Sequence, residues 1–419
     1  MFRKKFRVFA FLFVVISLVS FARRYAFDFY SNTALKLLSS ASMANNNLSL
    51  SLYKQLNSDE LSDGESLLFS PYSILLSLAM INKGAGYSSK TKEELVEIIG
   101  ANDKGPSQNT LYRGLRQSQD LLARQGCEIH VANKIFVQEN LSVLDSFSAA
   151  LETYFGSEVG RVDFLNSERS AAEINGWVSQ ETRDKIDEII APKDITGTTR
   201  LVLVNAIYFN AEWEYQFDPN KTAPDLFYND KQEPLLVDMM QQEKKFLHME
   251  NDFLEIVELP YKDSSLSMLV ILPKVGVGLK TIEEQLSVDK LNKWARLLEE
   301  KKVLVRMPKF KIESSYSLKD PLSEMGIPNS FSSDADFSEI TGKKGLFVDK
   351  ILHKVFIEVG ENGTEAAAAT GVSMTLRSIG PVKDRPEIIF NADRPFIFGI
   401  FERNIGLIIF AGRAVSPVI

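Results

Sequence analysis

A stretch of small side chains near the C-terminus constrains this chain more than any other part of its sequence. Residues 363–370 spell GTEAAAAT, and GVSMTLRSIGP continues to Pro381. Alanine is the best helix former, so a short helix is one interpretation. Alternate positions, however, fall into two distinct sets. The small or apolar set comprises Thr364, Ala366, Ala368, Thr370, Val372, Met374 and Leu376. The mixed set comprises Glu365, Ala367, Ala369, Gly371, Ser373, Thr375 and Arg377.

This period of two predicts a strand with one buried face, sustained from residue 364 to residue 377. The side chains are too small for an ordinary core strand. They suit a segment that slips between neighbouring strands that are already packed.

The rest of the sequence predicts one large domain of mixed structure. The 419 residues are 45% hydrophobic and 25% charged, which allows a sizeable core without disulfides or metals. No Pro-, Gly- or Ser-rich linker divides residues 43–419. Predicted helices cover 48–56, 71–81, 171–189 and 281–298, and predicted strands cover 131–138, 201–209, 266–272, 303–310, 346–359 and 388–410. Helices come early and strands late, so the expected fold class is α+β.

Charge and cysteine content exclude several kinds of partner and chemistry. The formal net charge of −7 opposes binding to nucleic acid or to a membrane surface, because both are anionic. Cys127 is the only cysteine, so no intramolecular disulfide can form. We expect an inert thiol there, and a redox or cross-linking role is the alternative.

The N-terminus carries a targeting signal. Basic residues precede an apolar run of about fifteen residues, whereas a helix that spans a bilayer needs about twenty. Residues 1–22 are therefore predicted to be a signal peptide, followed by a spacer over 23–42, and the mature protein is expected to be secreted and extracellular. A signal anchor is the alternative, because two arginines follow the run. Acceptor patterns for N-glycosylation begin at Asn47, Asn140, Asn220 and Asn362.

No familiar catalytic or cofactor motif is present. The three histidines, His130, His248 and His353, belong to no H-E-x-x-H pattern, and G-x-S-x-G, P-loop and C-x-x-C patterns are absent. We therefore expect no metal, no cofactor and no enzymatic turnover. A Ser/His/Asp triad assembled from distant positions is the enzymatic alternative.

Residues 361–370, E-x-G-T-E-A-A-A-A-T, resemble the reactive-loop hinge of the inhibitory serpins. Further serpin-like blocks follow in order through roughly residues 45–419. They are FSPYSI at 69–74, NKIFV at 133–137, INGWV at 174–178, VNAIYF at 204–209, LHK at 352–354, FNADRPF at 390–396 and GR at 412–413. The chain is identified as a member of the serpin family on these blocks. Its clearest departure is Arg394, where many serpins carry histidine.

The resemblance implies a serpin fold with helices around a large mixed central β-sheet, two further sheets and an exposed reactive-centre loop at about 361–386. It also implies a monomeric inhibitor that a trypsin-like serine protease attacks as a substrate. The acyl-enzyme is then trapped when the loop inserts into the central sheet. The hinge residues would be Glu361, Gly363, Thr364, Glu365, Ala366, Ala367, Ala368, Ala369 and Thr370.

Family spacing places the reactive bond fourteen residues beyond Gly363, between Arg377 and Ser378. An arginine there would enter a specificity pocket floored by a carboxylate, as in trypsin-like enzymes. A merely solvated arginine is the alternative. If the register slips, Leu376 or Met374 would serve a chymotrypsin-like enzyme.

The resemblance also assigns a sheet-opening cluster beneath the moving strands. Its candidate members are Ser70, Ser73, Asn205, His353 and Trp213. A buried histidine that is merely hydrogen-bonded in the core is the alternative.

Two further possibilities concern partners and function. Arg113, Arg116 and Arg124 resemble the heparin-binding helix of some serpins, so a glycosaminoglycan is a candidate partner and a solvated basic face is the alternative. A non-inhibitory serpin that acts as a carrier, chaperone or storage protein is the main alternative function. Such relatives tend to carry bulky, charged or proline residues in the hinge, and this hinge has none at its inward positions.

Overall fold

The computed structural model describes residues 32–58, 65–103, 105–364 and 388–417. The predicted signal peptide, the hinge positions from Glu365 to Thr370 and the bond between Arg377 and Ser378 lie outside these residues. Of the predicted loop at 361–386, the structure describes residues 361–364.

The described residues contain ten α-helices. In chain order they are α1 (Asn32–Leu56), α2 (Pro71–Gly84), α3 (Lys90–Ile98), α4 (Gln108–Leu122), α5 (Asp145–Phe155), α6 (Ser167–Glu181), α7 (Leu279–Glu283), α8 (Val288–Leu297), α9 (Lys319–Glu324) and α10 (Ser338–Thr341). Short 3-10 helices occur at Pro192–Asp194, Pro219–Lys221 and Pro328–Phe331.

Fifteen β-strands complete the described part of the fold. They are β1 (Leu67–Phe69), β2 (Glu128–Gln138), β3 (Val159–Val162), β4 (Leu201–Glu212), β5 (Ala223–Tyr228), β6 (Pro234–Glu250), β7 (Leu254–Pro260), β8 (Leu266–Pro273), β9 (Glu299–Pro308), β10 (Phe310–Ser317), β11 (Lys350–Val359), β12 (Gly363–Thr364), β13 (Ile388–Asn391), β14 (Phe396–Glu402) and β15 (Leu407–Ala414).

The strands form two sheets. A six-stranded sheet has the order β10-β11-β12-β4-β2-β3, and β11 also pairs directly with β4. A nine-stranded sheet has the order β1-β15-β14-β8-β7-β6-β9-β13, with β5 paired to β6. The two further sheets expected from the sequence are joined here, because the 17-residue strand β6 pairs with β5 and β9 and also with β7.

Helix α2 is buried against the six-stranded sheet. Ser70 caps its N-terminus by accepting a hydrogen bond from the backbone N–H of Ser73, and Pro71 occupies the first helical position. Every residue of α2 except Lys83 is buried, which is the pattern of a helix inside a large core. The prediction of a helix over 71–81 is confirmed, and the helix ends three residues later, at Gly84.

Helix α1 begins at Asn32, well before the predicted start at residue 48. The predicted spacer over 23–42 therefore overlaps this helix from residue 32 onward. The N-terminal part of this helix was not predicted, because its polar residues are typical of an exposed segment. In the structure their side chains are buried and hydrogen-bonded to the turn between β14 and β15. Ser42 Oγ donates to the Ile405 carbonyl at 2.8 Å, and Asn46 Nδ2 donates to the Gly406 carbonyl at 2.7 Å.

Two other predicted helices have different bounds. The helix predicted over 171–189 is α6, which ends at Glu181, and the next turn contains Arg183 and Asp184 with positive φ values of 53° and 58°. The helix predicted over 281–298 is divided into α7 and α8. Ser287 divides it, because its side chain accepts from the N–H of Lys290 and caps a new helix.

Two strand predictions also shift at their ends. The strand predicted over 303–310 spans the end of β9 and the start of β10, which are separated at Lys309. The strand predicted over 346–359 begins at Lys350.

Helix α6 covers the outer face of the six-stranded sheet. Ile174 and Val178 pack with Val202 and Val204 of β4 in a buried apolar cluster. The alternate residues of β4 point to the opposite face, toward α2. Within the described residues, no helix is both long enough and apolar enough to cross a membrane.

Candidate functional site

Strand β12 enters the six-stranded sheet between β11 and β4. Thr364 pairs antiparallel with Val359 on one side and with Ala211 on the other, and its side chain is fully buried. Burial of Thr364 matches the face that the sequence alternation assigns to it. Gly363 permits the entry, because a Cβ atom there would lie 2.0 Å from the carbonyl oxygen of Ala211.

Two aromatic side chains hold the entering strand. The hydroxyl groups of Tyr261 and Thr364 lie 2.7 Å apart in a hydrogen bond. Trp213 stacks on Tyr261, with ring centroids 4.5 Å apart and an interplanar angle of 12°. The indole Nε1 of Trp213 donates to the carbonyl of Gly360 at 3.0 Å, and its backbone N–H donates to the carbonyl of Asn362 at 2.9 Å.

The turn before β12 is held by charge as well. Glu361 accepts a hydrogen bond from Thr222 Oγ1 at 2.9 Å, and its other carboxylate oxygen lies 3.2 Å from Lys309 Nζ. Both partners lie on different segments from Glu361, so this carboxylate fixes the turn in place. Sequence analysis missed Tyr261, Lys309 and Thr222, because nothing in their local patterns indicates contact with the hinge.

A second polar site lies deeper in the same sheet, where α2 begins. The backbone N–H of Ser70 donates to His353 Nε2 at 3.0 Å, and His353 Nδ1 bonds Asn205 Oδ1. Ser73 Oγ donates to the same Asn205 oxygen at 2.8 Å. All four residues are completely buried. Asn205 and His353 are register partners on β4 and β11, so this network ties the two strands together directly below β12.

Two further residues complete the network and were not predicted. Asn205 Nδ2 donates to Ser77 Oγ at 3.2 Å and also bonds Asn133 Oδ1. Asn133 Nδ2 in turn donates to the carbonyl of Ser73 at 3.3 Å. Asn133 belongs to the NKIFV block and pairs with Asn205 across β2 and β4, so correct strand register would have revealed it.

Trp213 does not belong to this buried network. It follows the end of β4, eight residues beyond Asn205, which corresponds to about 26 Å of extended strand. The five predicted members therefore divide into two sites: Ser70, Ser73, Asn205 and His353 at the start of α2, and Trp213 where β12 enters the sheet.

The electrostatics of the network require a neutral imidazole. His353 Nε2 must accept from the N–H of Ser70, so Nδ1 carries the proton that bonds Asn205. Burial lowers the pKa of His353 from its ordinary value of 6.5 to about 3. The ring also stacks on Tyr316 with an interplanar angle of 12°. The site therefore has no charge at neutral pH and acts by hydrogen bonding alone.

The three candidate basic residues do not form one free array. Arg113 and Arg124 are exposed, but Arg124 lies beyond the end of α4. Arg116 is half-buried, and its Nε lies 3.5 Å from a carboxylate oxygen of Asp120.

Cys127 and Arg394 contribute to structure where they lie. Burial raises the pKa of the Cys127 thiol to about 11, so the thiol stays protonated at neutral pH. Arg394 donates from Nε to the carbonyl of Pro273 at 2.8 Å and from Nη1 to Asp393 at 2.6 Å. It thereby joins the chain between β13 and β14 to the end of β8.

Comparisons with known proteins identify the family. A family model described as serpin (serine protease inhibitor) matches residues 43–417. An uncharacterized serpin-like protein of Thermococcus kodakarensis is 36% identical over 373 residues, which cover 89% of this chain and 84% of that protein. The leukocyte elastase inhibitor of Bos taurus is 35% identical over 388 residues, which cover 90% and 99% of the two chains.

A solved structure agrees with these matches. Human thyroxine-binding globulin complexed with thyroxine aligns with a TM-score of 0.81 at 31% identity, covering 92% of this chain and 100% of that one. The chain belongs to the serpin family, and the predicted serpin fold is confirmed.

The buried imidazole makes stability depend on pH. The unfolded chain protonates His353 below about pH 6.5, whereas the folded chain resists protonation until about pH 3. Unfolding therefore takes up a proton between these values, and the stability due to neutral His353 is lost as pH falls. The contribution is at most about 1.4 kcal/mol per pH unit. Urea unfolding midpoints measured from pH 7 to pH 4 should show a smaller acid-induced decrease in His353→Gln.

His130→Gln is the matched control, because His130 lies on β2 outside the network and is only half-buried. It should retain most of the wild-type decrease. The attribution of this pH dependence to His353 is wrong if His353→Gln and the wild type lose stability equally between pH 7 and pH 4.

Proposed function

We propose that this chain is a secreted serine-protease inhibitor that traps trypsin-like enzymes as a suicide substrate. Arg377–Ser378 is the reactive bond, and the chain itself catalyses no turnover. The observation that carries this proposal is the position of β12, which is already paired antiparallel with both β4 and β11. A loop that continues from Thr364 has a strand position prepared for it.

If the loop continued from β12 as an extended strand, each later residue would follow the register of Thr364. Each step forward along the loop is one step back along both β4 and β11. Ala366 would come between Phe209 and Ile357, which are both completely buried. On the same count, Thr370 would come between Asn205 and His353.

Insertion at Thr370 would separate the two residues that now hold the strands together. Asn205 and His353 are hydrogen-bonded directly in this structure, so the network must open for the strand to pass. The inserted hydroxyl would lie on the same inward face as Thr364, because the two positions are an even number of residues apart. The hydroxyl of Thr370 would then lie where Asn205 and His353 have lost their bond to each other. We infer that the network gates insertion of the loop.

The energy for insertion comes from the change in pairing. At present β4 and β11 pair in parallel over the six partners from Val202↔Lys350 to Ile207↔Val355. An inserted strand replaces this one ladder with two antiparallel ladders, and antiparallel pairing is slightly more stable per residue. The small inward side chains at alternate positions are buried at the same time.

Insertion of the loop in this register would move a bound protease across the molecule. Arg377 would lie beyond Lys350 and Leu201, the first residues of β11 and β4, and therefore past the far end of the sheet. The thirteen residues after Thr364 span about 43 Å at strand rise. A folded chain of this length has a radius of gyration of about 22 Å. A protease acylated at Arg377 would move across most of the inhibitor, and strain on its active site would prevent deacylation.

Secretion rests on the apolar N-terminal segment, and surface exposure of acceptor asparagines supports it. Asn47, Asn140 and Asn220 are exposed, so we propose them as glycosylation sites. Asn362 is half-buried beside Trp213 and is the weakest candidate. One relative, from Tachypleus tridentatus, is named an intracellular coagulation inhibitor. Membership of the family therefore does not determine whether a chain is secreted, and the proposal of secretion depends on the N-terminal segment.

A carrier function is the alternative, since thyroxine-binding globulin is among the structural neighbours. The hinge favours inhibition. Ala366, Ala368 and Thr370 are small enough for the buried positions that the register assigns them, and Thr364 is already buried there. A chain that never inserts its loop has no need of this pattern.

Covalent trapping is the first test. Incubation with trypsin should give a complex that survives denaturing electrophoresis and should release a C-terminal peptide that begins at Ser378. Arg377→Glu should form no complex, because the specificity pocket would meet a like charge. Another new N-terminus would show that the assigned bond is wrong, and simple digestion would show that inhibition is wrong.

Cleavage should also stabilise the protein. Inserted as a strand, the loop gains on the order of ten net hydrogen bonds at about 1 kcal/mol each, so the thermal midpoint should rise by at least about 10 °C. Ordinary nicked loops give no such gain. Calorimetry before and after a single cut at Arg377 measures it, and equal midpoints would remove the basis for insertion.

The register itself is tested by a matched pair of substitutions. Ala366→Arg would bury an unpaired cation between Phe209 and Ile357, at a cost of several kcal/mol, so insertion should slow and deacylation should win. Glu365→Arg lies on the outward face and should be much milder. The measurement is the number of inhibitor molecules consumed per protease inactivated, with at least about a tenfold larger increase expected for Ala366→Arg. Similar values for the two variants would contradict the register.

A further inference from the structure

A groove of about 760 Å³ lies between helices α1 and α3. Residues at helical spacing along α1, from Met43 to Gln55, form one wall of it. Glu94, Glu97 and Ile98 of α3 form the other wall. The lining is completed by Gly100, Asn102, Gly105, Met325 and Gly326. None of these residues belongs to β4, β11 or β12, so an occupant of the groove does not touch the strands that accept the loop.

The lining of the groove combines apolar and polar groups. Ala44 and Leu48 of α1 are buried, and Ile98 of α3 is half-buried beside them. Lys54 and Glu97 are exposed at the edges. A sugar ring has an apolar face of C–H groups and a rim of hydroxyl groups, so it fits a surface of this mixed kind. Proteins hold drug-sized ligands in pockets of about 300–1,000 Å³, and two linked sugars are of that size.

An acceptor asparagine for N-glycosylation stands in one wall of this groove. Asn47 begins the pattern Asn-Leu-Ser, is exposed and lines the groove. Its side-chain amide has no hydrogen-bond partner among the described residues. Asn45 and Asn46 differ, since they are buried and their side chains donate to backbone carbonyls near the turn between β14 and β15. Of these three neighbouring asparagines, Asn47 is therefore the one available for modification.

The order of modification and folding follows from Ser49, which completes the acceptor pattern. Its side chain is 2% exposed in the folded chain, so the sugar must be added before α1 packs. In that step Asn47 Nδ2 forms a bond to the anomeric carbon of a lipid-linked oligosaccharide. The bond from this carbon to the lipid diphosphate breaks, and the amide loses one proton. The glycan is then already attached when α1 and α3 come together around it.

We propose that this groove holds the N-linked glycan of Asn47, with its first two sugars packed between α1 and α3. The proposal rests on the proposed secretion and glycosylation of the chain, and it is independent of protease inhibition. A glycan attached to the wall of the groove has an effective concentration there of about millimolar, so weak contacts are enough to hold it. Glycans at Asn140 and Asn220 should stay in solvent, because these residues are exposed and do not line the groove.

Enzymatic removal of the glycans tests the site. The full chain is secreted from cells that keep high-mannose glycans and is treated with endoglycosidase H, which cuts between the first two sugars. Mass spectrometry of glycopeptides follows Asn47, Asn140 and Asn220 separately. Cleavage at Asn47 should be at least about tenfold slower in the native chain than in the denatured chain, because the glycan must first leave the groove. Asn140 and Asn220 should be cut at similar rates in both states.

Two glutamates on α3 provide a matched pair of variants. Glu93 and Glu97 are both exposed and lie about one helical turn apart, but only Glu97 lines the groove. Glu97→Ala removes an acceptor for sugar hydroxyls and should speed native cleavage at Asn47 at least about threefold. Glu93→Ala should leave that rate unchanged.

Protection at Asn47 that Glu97→Ala weakens and Glu93→Ala preserves supports the site. Equal rates in the native and denatured wild type overturn it. Equal effects of the two variants also overturn it, because protection would then come from α1 itself and not from the groove. The comparison of native and denatured chains uses the wild type, so it remains decisive even where a variant fails to fold.

Glycan occupancy separates this proposal from the proposed function. An unmodified Asn47 beside modified Asn140 and Asn220 overturns the groove site alone. Absence of sugar at all three positions overturns it together with the proposed glycosylation. Formation of a covalent complex with trypsin is measured on the same preparation, so inhibition is decided independently of the glycan.

Discussion

The direct pairing of β4 with β11 is the interaction on which the rest of this structure depends. The two strands run parallel, are separated at one end by the two residues of β12, and are tied below it by Asn205 and His353. A neutral buried imidazole suits this place, because its bonds are strong enough to hold the strands without the desolvation cost of a charge. A charged pair would hold the sheet closed more firmly and would resist the separation that insertion requires.

Much of this arrangement can be predicted from local patterns in the sequence. The cap at Ser70, the apolar helix after it and the alternation that starts at Thr364 each follow from short-range rules of helix and strand formation. The central parts of the strands were predicted well, because runs of β-branched and apolar residues strongly favour a strand that is buried on both faces. The family resemblance then supplied the order of the pieces and four of the buried network's residues.

The remainder depends on partners that are distant in the chain. Helix α1 was found only in part, because its buried asparagines and serines look solvated until the carbonyls of residues 405–408 are placed beside them. Trp213 lies apart from the other four predicted members, because it contacts the entry point of β12 and not the start of α2. Tyr261, Lys309 and Thr222 became visible only through packing, because side chains on different segments meet in the folded chain and not through a sequence motif.

The contacts of α1 with the last turn have a consequence for how the chain is made. Ser42 and Asn46 bond to carbonyls that lie more than 350 positions later, and β1 pairs with β15. During synthesis, which proceeds from the N-terminus at about 5–20 residues per second, the first helix leaves the ribosome long before its partners exist. Its polar face therefore stays solvated until the hairpin of β14 and β15 has been synthesised. Only then can α1 pack in its final position. A chain truncated before residue 405 would lack the groups that bury α1, so early termination leaves both ends of the molecule unfinished.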